Sequence, residues 1–463
     1  MVHGDVYAEV KMAGYEAGSP ILVDSRLEAW SGEACMLTGP SGSGKTVFLL
    51  SITGILKHLL NGVVEGEVRL KGLNPLHRDE YARLPGFLGF VMQDPERQII
   101  YPTPLDEAIA VLEARGYSYE EAERKAIQVL DALGLRGKAG EHVENLSGGE
   151  RKRLAITLSI IHDPDIIILD EPSASLDPAG IGFIRRLVSR EKSRGRVILL
   201  TEHKGGYFAD LVDKAYAVRK RRVVELAGEE IADYEKMPEC RETPGSSGSV
   251  LLETRGLSAG YREPLVENAD IHIRRGEVVA LVGPNGSGKS TILKTLAGFL
   301  KPLGGEVINA ARGLFYAPQN PDTVFIHGSV RRELEDASRR TRVAFEELAS
   351  MYPWYERVKG LHPLRLSHGQ RRWLSILVAY AYGRDLMLLD EPTTGLDHAL
   401  YSGLVKLVNE LRGRGRSILL STHDPRLVAD VADRVYVVED GRVREKDKCK
   451  AVESMYRATG VPL

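Results

Sequence analysis

Only three cysteines occur in 463 residues, Cys35, Cys240 and Cys449, far apart and without C-x-x-C spacing. That scarcity argues against a disulfide framework and against a zinc or iron–sulfur site, and Cys35 reads simply as strand core. Charge of one sign is missing too: 62 Lys and Arg face 64 Asp and Glu, a formal net charge of -2. Such balance gives no overall bias toward nucleic acid or an anionic membrane surface. Long apolar runs are absent: dense stretches such as Ile166 to Leu169 are strand-sized, while a bilayer-spanning helix needs about 20 residues. The opening MVHGDVYAEV lacks the basic and then apolar layout of a signal peptide. The expectation is a protein of the cytosol that reaches a membrane only through another protein.

Apolar residues make up 43% of the chain, enough for two or three domains with cores of their own. Self-similarity organises them. GPSGSGKT at Gly39 to Thr46 returns as GPNGSGKS at Gly283 to Ser290, with the lysines 289 − 45 = 244 positions apart. Ser147 and Ser367, Asp170 and Asp390, Asp177 and Asp397, and His203 and His423 are each 367 − 147 = 220 apart. Gln93 and Gln319 are 319 − 93 = 226 apart, so the second copy loses 18 residues before its glutamine and 6 after it. Trimming of this kind is expected in surface hairpins. Two complete domains follow, 1–234 and 250–463, joined by a Pro-, Gly- and Ser-rich linker at 235–249 that reads as flexible.

In each copy a strand-like run, ACMLTG or VVALVG, leads into the glycine-rich loop, and β-rich runs alternate with helix-length patterns. Ser118 and Glu121 form a capping-box pair ahead of Ala122, Ala126, Val129, Leu130 and Leu133 at helical spacing. The fold class is therefore α/β with a parallel sheet, and the stretch between Gln93 and Ser147 is an inserted helical subdomain.

G-x-x-x-x-G-K-[ST] after a strand is the phosphate-binding loop, in which glycines let backbone N–H groups close around phosphate oxygens at a helix N-terminus. In the first copy it comprises Gly39, Pro40, Ser41, Gly42, Ser43, Gly44, Lys45 and Thr46. In the second it comprises Gly283, Pro284, Asn285, Gly286, Ser287, Gly288, Lys289, Ser290 and the adjoining Thr291. The lysines suit the β- and γ-phosphates of ATP, and the hydroxyls of Thr46 and Ser290 suit Mg2+. Hydrophobic strands end in Asp170-Glu171 and Asp390-Glu391, at the edge where ligands bind in such sheets. Asp170 and Asp390 are expected to support the metal, and Glu171 and Glu391 to polarise the attacking water. An isolated acidic pair would merely end a strand; its repetition favours the site.

The strands VILLTEH and SILLSTH end in His203 and His423, placed to contact a γ-phosphate or to serve structure alone. Gln93 and Gln319 follow apolar strands, from which an amide could reach the metal or the water.

Glycine-rich loop, glutamine, LSGGE at Leu146 to Glu150, aspartate-glutamate strand, SLD at Ser175 to Asp177 and histidine together resemble the ATP-binding cassette family over nearly the whole chain. The signature returns as LSHGQ, in which Ser367, Gly369 and Gln370 match while His368 departs from the family's glycine. The resemblance implies two P-loop domains, each a parallel-sheet core with an antiparallel β part and an inserted helical subdomain, using ATP and Mg2+. It assigns adenine stacking to Tyr15 and Tyr261, whose residue type alone fits ordinary surface or core equally. It also implies that the two domains pair with each other head to tail, each ATP lying between one phosphate loop and the other domain's signature. Ser147 with the backbone of Gly148 and Gly149, ahead of a helix near Glu150, supplies donors suited to a γ-phosphate.

Lys289, Ser290 and Glu391 would then face LSGGE, whereas Lys45, Thr46 and Glu171 would face LSHGQ, so the site containing Lys45 is expected to turn over more slowly. The segments VMQDPERQIIYPTPLDEAI and YAPQNPDTVFIHGSVRREL resemble those of energy-coupling factor importers of vitamins and transition-metal ions. That likeness implies a transmembrane coupling subunit and a substrate-capture membrane protein as partners, with this chain peripheral on the cytoplasmic face. Ile99, Ile100, Val324 and Phe325 fit either a groove for coupling helices or helical-subdomain core. The rival class is a soluble twin-cassette ATPase acting on ribosomes or nucleic acid. Against it, no nucleic-acid patch is expected: the one basic run, Arg219 to Arg222, reads as a β-hairpin turn.

Overall fold

Aliphatic runs with no polar alternation are what strands buried on both faces require, and three such runs build the centre of the first copy. Ala34–Thr38, Ile166–Asp170 and Val197–Glu202 are buried at every position. The computed structural model describes residues 4–461 except 17, 41, 94, 175, 203–204, 228–229, 231–239, 241–247, 342 and 384. Ser41, His203 and almost all of the expected linker therefore lie outside the described residues. The chain divides into two units, Met1–Leu176 with Gly180–Lys236, and Met237–Ala458.

In the first unit a six-stranded sheet runs Leu88–Val91, Ile166–Asp170, Val197–Glu202, Ala34–Thr38, Lys214–Arg219, Arg222–Glu225, parallel except for the last strand. That last pairing is a hairpin whose turn residues Lys220 and Arg221 have φ of 48° and 68°, so the basic run is indeed a turn. A three-stranded antiparallel sheet of Leu22–Ala29, Val6–Gly14 and Val63–Leu70 accompanies it. The helix Lys45–Ile52 fills the space between with Phe48 and Ile52, packed with Val6, Leu27, Leu37 and Ile168.

The helical insert has a core of its own. Helices Pro104–Glu113, Tyr119–Ala132 and Gly148–Ser159 bury Ala108, Leu112, Ala126, Leu130, Leu154 and Leu158 together. Ser118 and Glu121 make the expected capping box; Ala122, Ala126 and Leu130 are buried, with Val129 and Leu133 packed at the edge.

The second unit repeats the plan. Its parallel sheet runs Leu314–Ala317, Leu386–Asp390, Ser417–Thr422, Val278–Val282, Arg434–Glu439, closed by antiparallel Arg442–Lys446. Strand Val250–Gly260 carries antiparallel partners Pro264–Ala269, His272–Arg274 and Gly304–Asn309. Helices Val330–Arg340 and His368–Tyr382 head its helical part.

Two expectations need correction. The residues lost from the second copy are not confined to surface hairpins. Between Leu70 and Leu88 the first unit has a helix at Arg78–Tyr81 and a 3-10 turn at Leu84–Gly86, and Leu76 and Leu84 enter the main core. The cysteines are not all free: Cys240 and Cys449 form a disulfide with Cα atoms 5.6 Å apart, while Cys35 is free and buried in its strand. A separation of 209 residues escapes any rule based on local spacing. Among the described residues no helix is long and apolar enough to cross a membrane.

Candidate functional site

Each phosphate loop leaves the central sheet from an interior strand, Ala34–Thr38 or Val278–Val282, and ends in a left-handed glycine that caps the next helix, Gly44 or Gly288. Gly39 and Gly283 have φ of 149° and 154°, and a Cβ on Gly283 would collide with the Val438 carbonyl, so backbone alone fits there. Gly42 and Gly286 are likewise left-handed. Lys45 Nζ donates to the carbonyls of Gly39 (2.9 Å) and Pro40 (3.2 Å), and Lys289 Nζ to those of Gly283 and Pro284 (both 2.8 Å). Burial lowers the pKa of both lysines; the acids nearby, Glu171 and Asp170 for Lys45, Glu391 and Asp390 for Lys289, act the other way.

The acids sit at the carboxyl ends of their strands, beside these loops. Thr46 Oγ1 donates to Asp170 Oδ2 at 2.9 Å, and Ser290 Oγ to Asp390 Oδ1 at 3.0 Å. A second hydroxyl from the next strand, Thr201 or Ser421, donates to the same carboxylate. Burial raises the pKa of Asp170, with the bonds from Thr201 and Thr46 lowering it in part. Glu171 and Glu391 follow with φ of 48° and 49°, a left-handed backbone that costs about 1–3 kcal/mol for such residues and persists where function requires it.

Each glutamate has polar companions among the described residues. Glu171 Oε1 lies 3.6 Å from Lys45 Nζ, and its Oε2 accepts from Gln93 Nε2 at 2.8 Å. Glu391 Oε2 lies 2.9 Å from His423 Nδ1. Burial alone would raise the Glu391 pKa, but His423 and then Lys289 outweigh it and hold the carboxyl below its usual range. Gln319 is exposed at the end of its strand, where Arg372, itself buried, donates to the carbonyls of Pro318 and Gln319. Burial lowers Arg372 to about 10, with Asp390 and Glu391 acting against it.

Among the described residues the hydroxyls of Ser43 and Ser287 are buried in the loops without a partner. Buried donors left over inside a glycine cradle fit phosphate oxygens, and a hydroxyl with a carboxylate behind it fits a hard cation held partly through water. Mg2+ bound there would supply charge neutralisation at the phosphates. With such an ion present, Thr46 and Ser290 could hold it, Asp170 and Asp390 could orient it, and the carboxylates of Glu171 and Glu391 could act as bases.

Other expected residues lie apart from this cluster. Tyr15 and Tyr261 are exposed at the ends of the strands Val6–Gly14 and Val250–Gly260; the Tyr261 hydroxyl accepts from Lys294 Nζ at 3.1 Å. Thr291 is buried in the helix that follows its loop. The helices after the signatures begin at Gly148 and His368, earlier than near Glu150, because Ser147 and Ser367 are their N-caps in full capping boxes. Each serine Oγ accepts from the amide of Glu150 or Gln370, whose side chain accepts in return from the serine amide. Gln370 is thus engaged in the cap. A Cβ would meet nothing at Gly148 or Gly149, whereas at Gly369 it would stand 2.7 Å from the Gly395 carbonyl, and the exposed His368 ring lies against Gly395.

Sequence reasoning missed Tyr316, whose hydroxyl donates to Asp390 Oδ2 at 2.9 Å, and the strand hydroxyls of Thr201 and Ser421. The last two carried a signal, polar residues at equal offsets inside otherwise aliphatic strands. Missed too were Glu107 and Glu333, buried acids at the start of matching helices. Glu107 accepts from the amides of Ile100 and Tyr101, and Glu333 from those of Ile326 and His327. They fix the loops after each glutamine with Ile100 84% and Ile326 71% exposed. Ile99 lines a cleft of about 360 Å³ with Ile55, Tyr81, Leu84, Phe90 and Val111, and Val324 and Phe325 are half-buried.

Two phosphate loops on parallel sheets, each backed by a strained acid, define a tandem nucleoside-triphosphatase. The chain belongs to the family described as ABC transporter, which matches residues 22–174 and 266–394, and it is accordingly an ATPase that uses ATP with Mg2+. It is 28% identical over 482 residues to a provisionally named ABC transporter ATP-binding protein of Methanosarcina mazei, covering 97% of this chain and 96% of that one. A similarly named protein of Sulfurisphaera tokodaii is 31% identical over 454 residues, 92% and 94% of the two chains. A Bacillus subtilis protein provisionally named as an HMP/thiamine import ATP-binding protein is 26% identical over 481 residues, 92% and 88% of the two. Among solved structures, an RNase-L inhibitor shares the fold with TM-score 0.70 at 19% identity, covering 98% of this chain and 93% of that one. So does an archaeal ribosome recycling factor in complex with a ribosomal stalk protein, TM-score 0.68 at 20% identity, 94% and 89%.

Proposed function

We propose that domains 1–234 and 250–463 hydrolyse Mg-ATP at two composite sites, each a phosphate loop of one domain with the signature of the other. Turnover there energises a membrane importer of the energy-coupling factor type that carries a vitamin or a transition-metal ion. The catalytic pair is Glu171 and Glu391, aided by His203 and His423. Thr46, Ser290, Gln93, Gln319, Asp170 and Asp390 serve the metal, and Tyr15 and Tyr261 stack on adenine. Ser147 and Ser367, at helix N-termini, offer amide ends suited to a γ-phosphate.

The observation that carries the transport reading is the pair of outward isoleucines, Ile100 and Ile326, each held by a buried carboxylate instead of collapsing onto the protein. Apolar side chains kept exposed at matching positions of both copies suit docking to apolar partners. In the first unit the cleft lined by Ile99 lies beside that loop, wide enough for side chains of a helix from a transmembrane subunit. The import function in the name of the Bacillus subtilis relative agrees with this reading. Likeness to ribosome-associated proteins rests on fold alone and does not select their partners.

The test is affinity purification of the full chain from native membranes, with identification of what accompanies it. Transmembrane chains retained with a bound solute are expected. Ribosomal association removed by RNase, with no membrane chain, would establish the rival class.

A further inference from the structure

The two metal-supporting aspartates are not equally held, and the difference arises inside each unit. We infer that Tyr316 is a positioning residue, present in the second site and missing from the first, that keeps Asp390 aligned toward a bound divalent cation. The inference rests on reading Asp390 as the acid behind that cation.

Tyr316 and Phe90 occupy the same place. Each stands three residues before its glutamine, and each is paired in its edge strand with the strand that ends in the acid, Tyr316 opposite Leu388 and Phe90 opposite Ile168. The difference is one oxygen. Asp390 accepts from Ser290 and Ser421 on Oδ1 and from the Tyr316 hydroxyl on Oδ2, at 2.9 Å. Asp170 accepts from Thr201 on Oδ1 and Thr46 on Oδ2, with phenylalanine where the third donor would stand.

The consequence appears when the loop hydroxyl turns to the cation. Asp170 then keeps one protein donor, Thr201, and its carboxylate plane is free to rotate about that bond. Asp390 keeps a donor on each oxygen, and two such bonds fix the plane. Donation to a carboxylate is also the stronger kind of hydrogen bond. The Tyr316 ring is half-buried and has Phe299 at 5.8 Å between centroids, so the donor is held from behind.

The test uses the full chain with a non-hydrolysable ATP analogue and Mn2+ as the probe, bound cation being read by electron paramagnetic resonance. Two classes of bound Mn2+ are expected. Tyr316→Phe should weaken one class about tenfold, the scale of a hydrogen bond to a charged group, and leave the other unchanged. Asp390→Asn should remove the same class, and Phe90→Tyr, which offers the missing hydroxyl at the same register, should tighten the other. Loss of a class in Asp390→Asn with no effect of Tyr316→Phe overturns the positioning role while leaving the reading of Asp390 intact. Both classes surviving Asp390→Asn overturns that reading, and the inference with it. Equal weakening of both classes by Tyr316→Phe would show a general packing effect and likewise overturn it.

Discussion

At the scale of single residues the protein repeatedly places a carboxylate where a backbone or hydroxyl donor is otherwise unsatisfied, and one such case is measurable by pH. Glu150 accepts from the Ser147 amide, as part of the helix cap, and from Lys138 Nζ at 2.9 Å. Burial alone would raise its pKa, but the bonds from Lys138 and Ser147 prevail and hold it at about 2. A folded value below the unfolded one stabilises the folded state above the unfolded pKa, about 4.3 for Glu, and the contribution is lost as pH falls toward 2. The helix Gly148–Ser159 should therefore lose about 1 kcal/mol of cap stabilisation over that window. The second copy already has the neutral counterpart, Gln370, in an identical cap. Glu150→Gln should make amide exchange in the first helix as insensitive to acid as in the second. Exchange that still accelerates between pH 4.5 and 2 in that variant would assign the acid response to other groups.

At the scale of elements, the disulfide Cys240–Cys449 joins a residue before the second domain to the first turn of the helix Lys448–Thr459. The helix packs through Ala451, Val452 and Tyr456, all buried. Closing so long a loop restricts the unfolded chain, and removal of such a bridge typically costs 2–5 kcal/mol, about that here. Unreduced, denatured protein should titrate one thiol, from Cys35, and reduced protein three. Cys449→Ser should lower the melting temperature of the second unit by several degrees while sparing the first. Three thiols without reductant would sink the bridge.

What was legible in the sequence at this scale was whatever repeats locally. The phosphate loops follow from glycine spacing, the buried strands from aliphatic runs such as IIILD, and the helix after Ser118 from its cap and its period. The cap at Ser147 obeys the same S-x-x-E rule and was readable, yet it placed the helix start two residues earlier than expected. Contacts made through sheet register were not legible. Tyr316 meets Asp390 only because two strands far apart in sequence lie side by side, and nothing near Tyr316 in the chain says so. The disulfide likewise depends on where the last helix returns. Buried Arg372 makes the same point, donating to Pro318 and Gln319, far from it in the sequence.

At the scale of the whole molecule, duplication has left two sites with the same parts and different bonding. The second has a doubly fixed Asp390 and a Glu391 that lies 2.9 Å from His423 Nδ1. The first has an Asp170 held by two hydroxyls, Thr201 and Thr46, with Phe90 at the place of Tyr316. The signatures differ as well: His368 stands where the first unit has Gly148, at which a Cβ would meet nothing. The better-held Asp390 favours the site with Lys289, which should be the faster. A base of this kind contributes about 10²–10⁴-fold to its own site. Glu391→Gln should consequently remove most of the steady-state phosphate release, leaving the residual rate of the slow site, whereas Glu171→Gln should leave most of it. The double variant sets the floor. Phosphate release at saturating Mg-ATP from the three variants decides the matter, because equal losses in the two single variants would mean either equivalent sites or strict alternation between them, and in both cases the asymmetry seen in the bonding would have no kinetic counterpart.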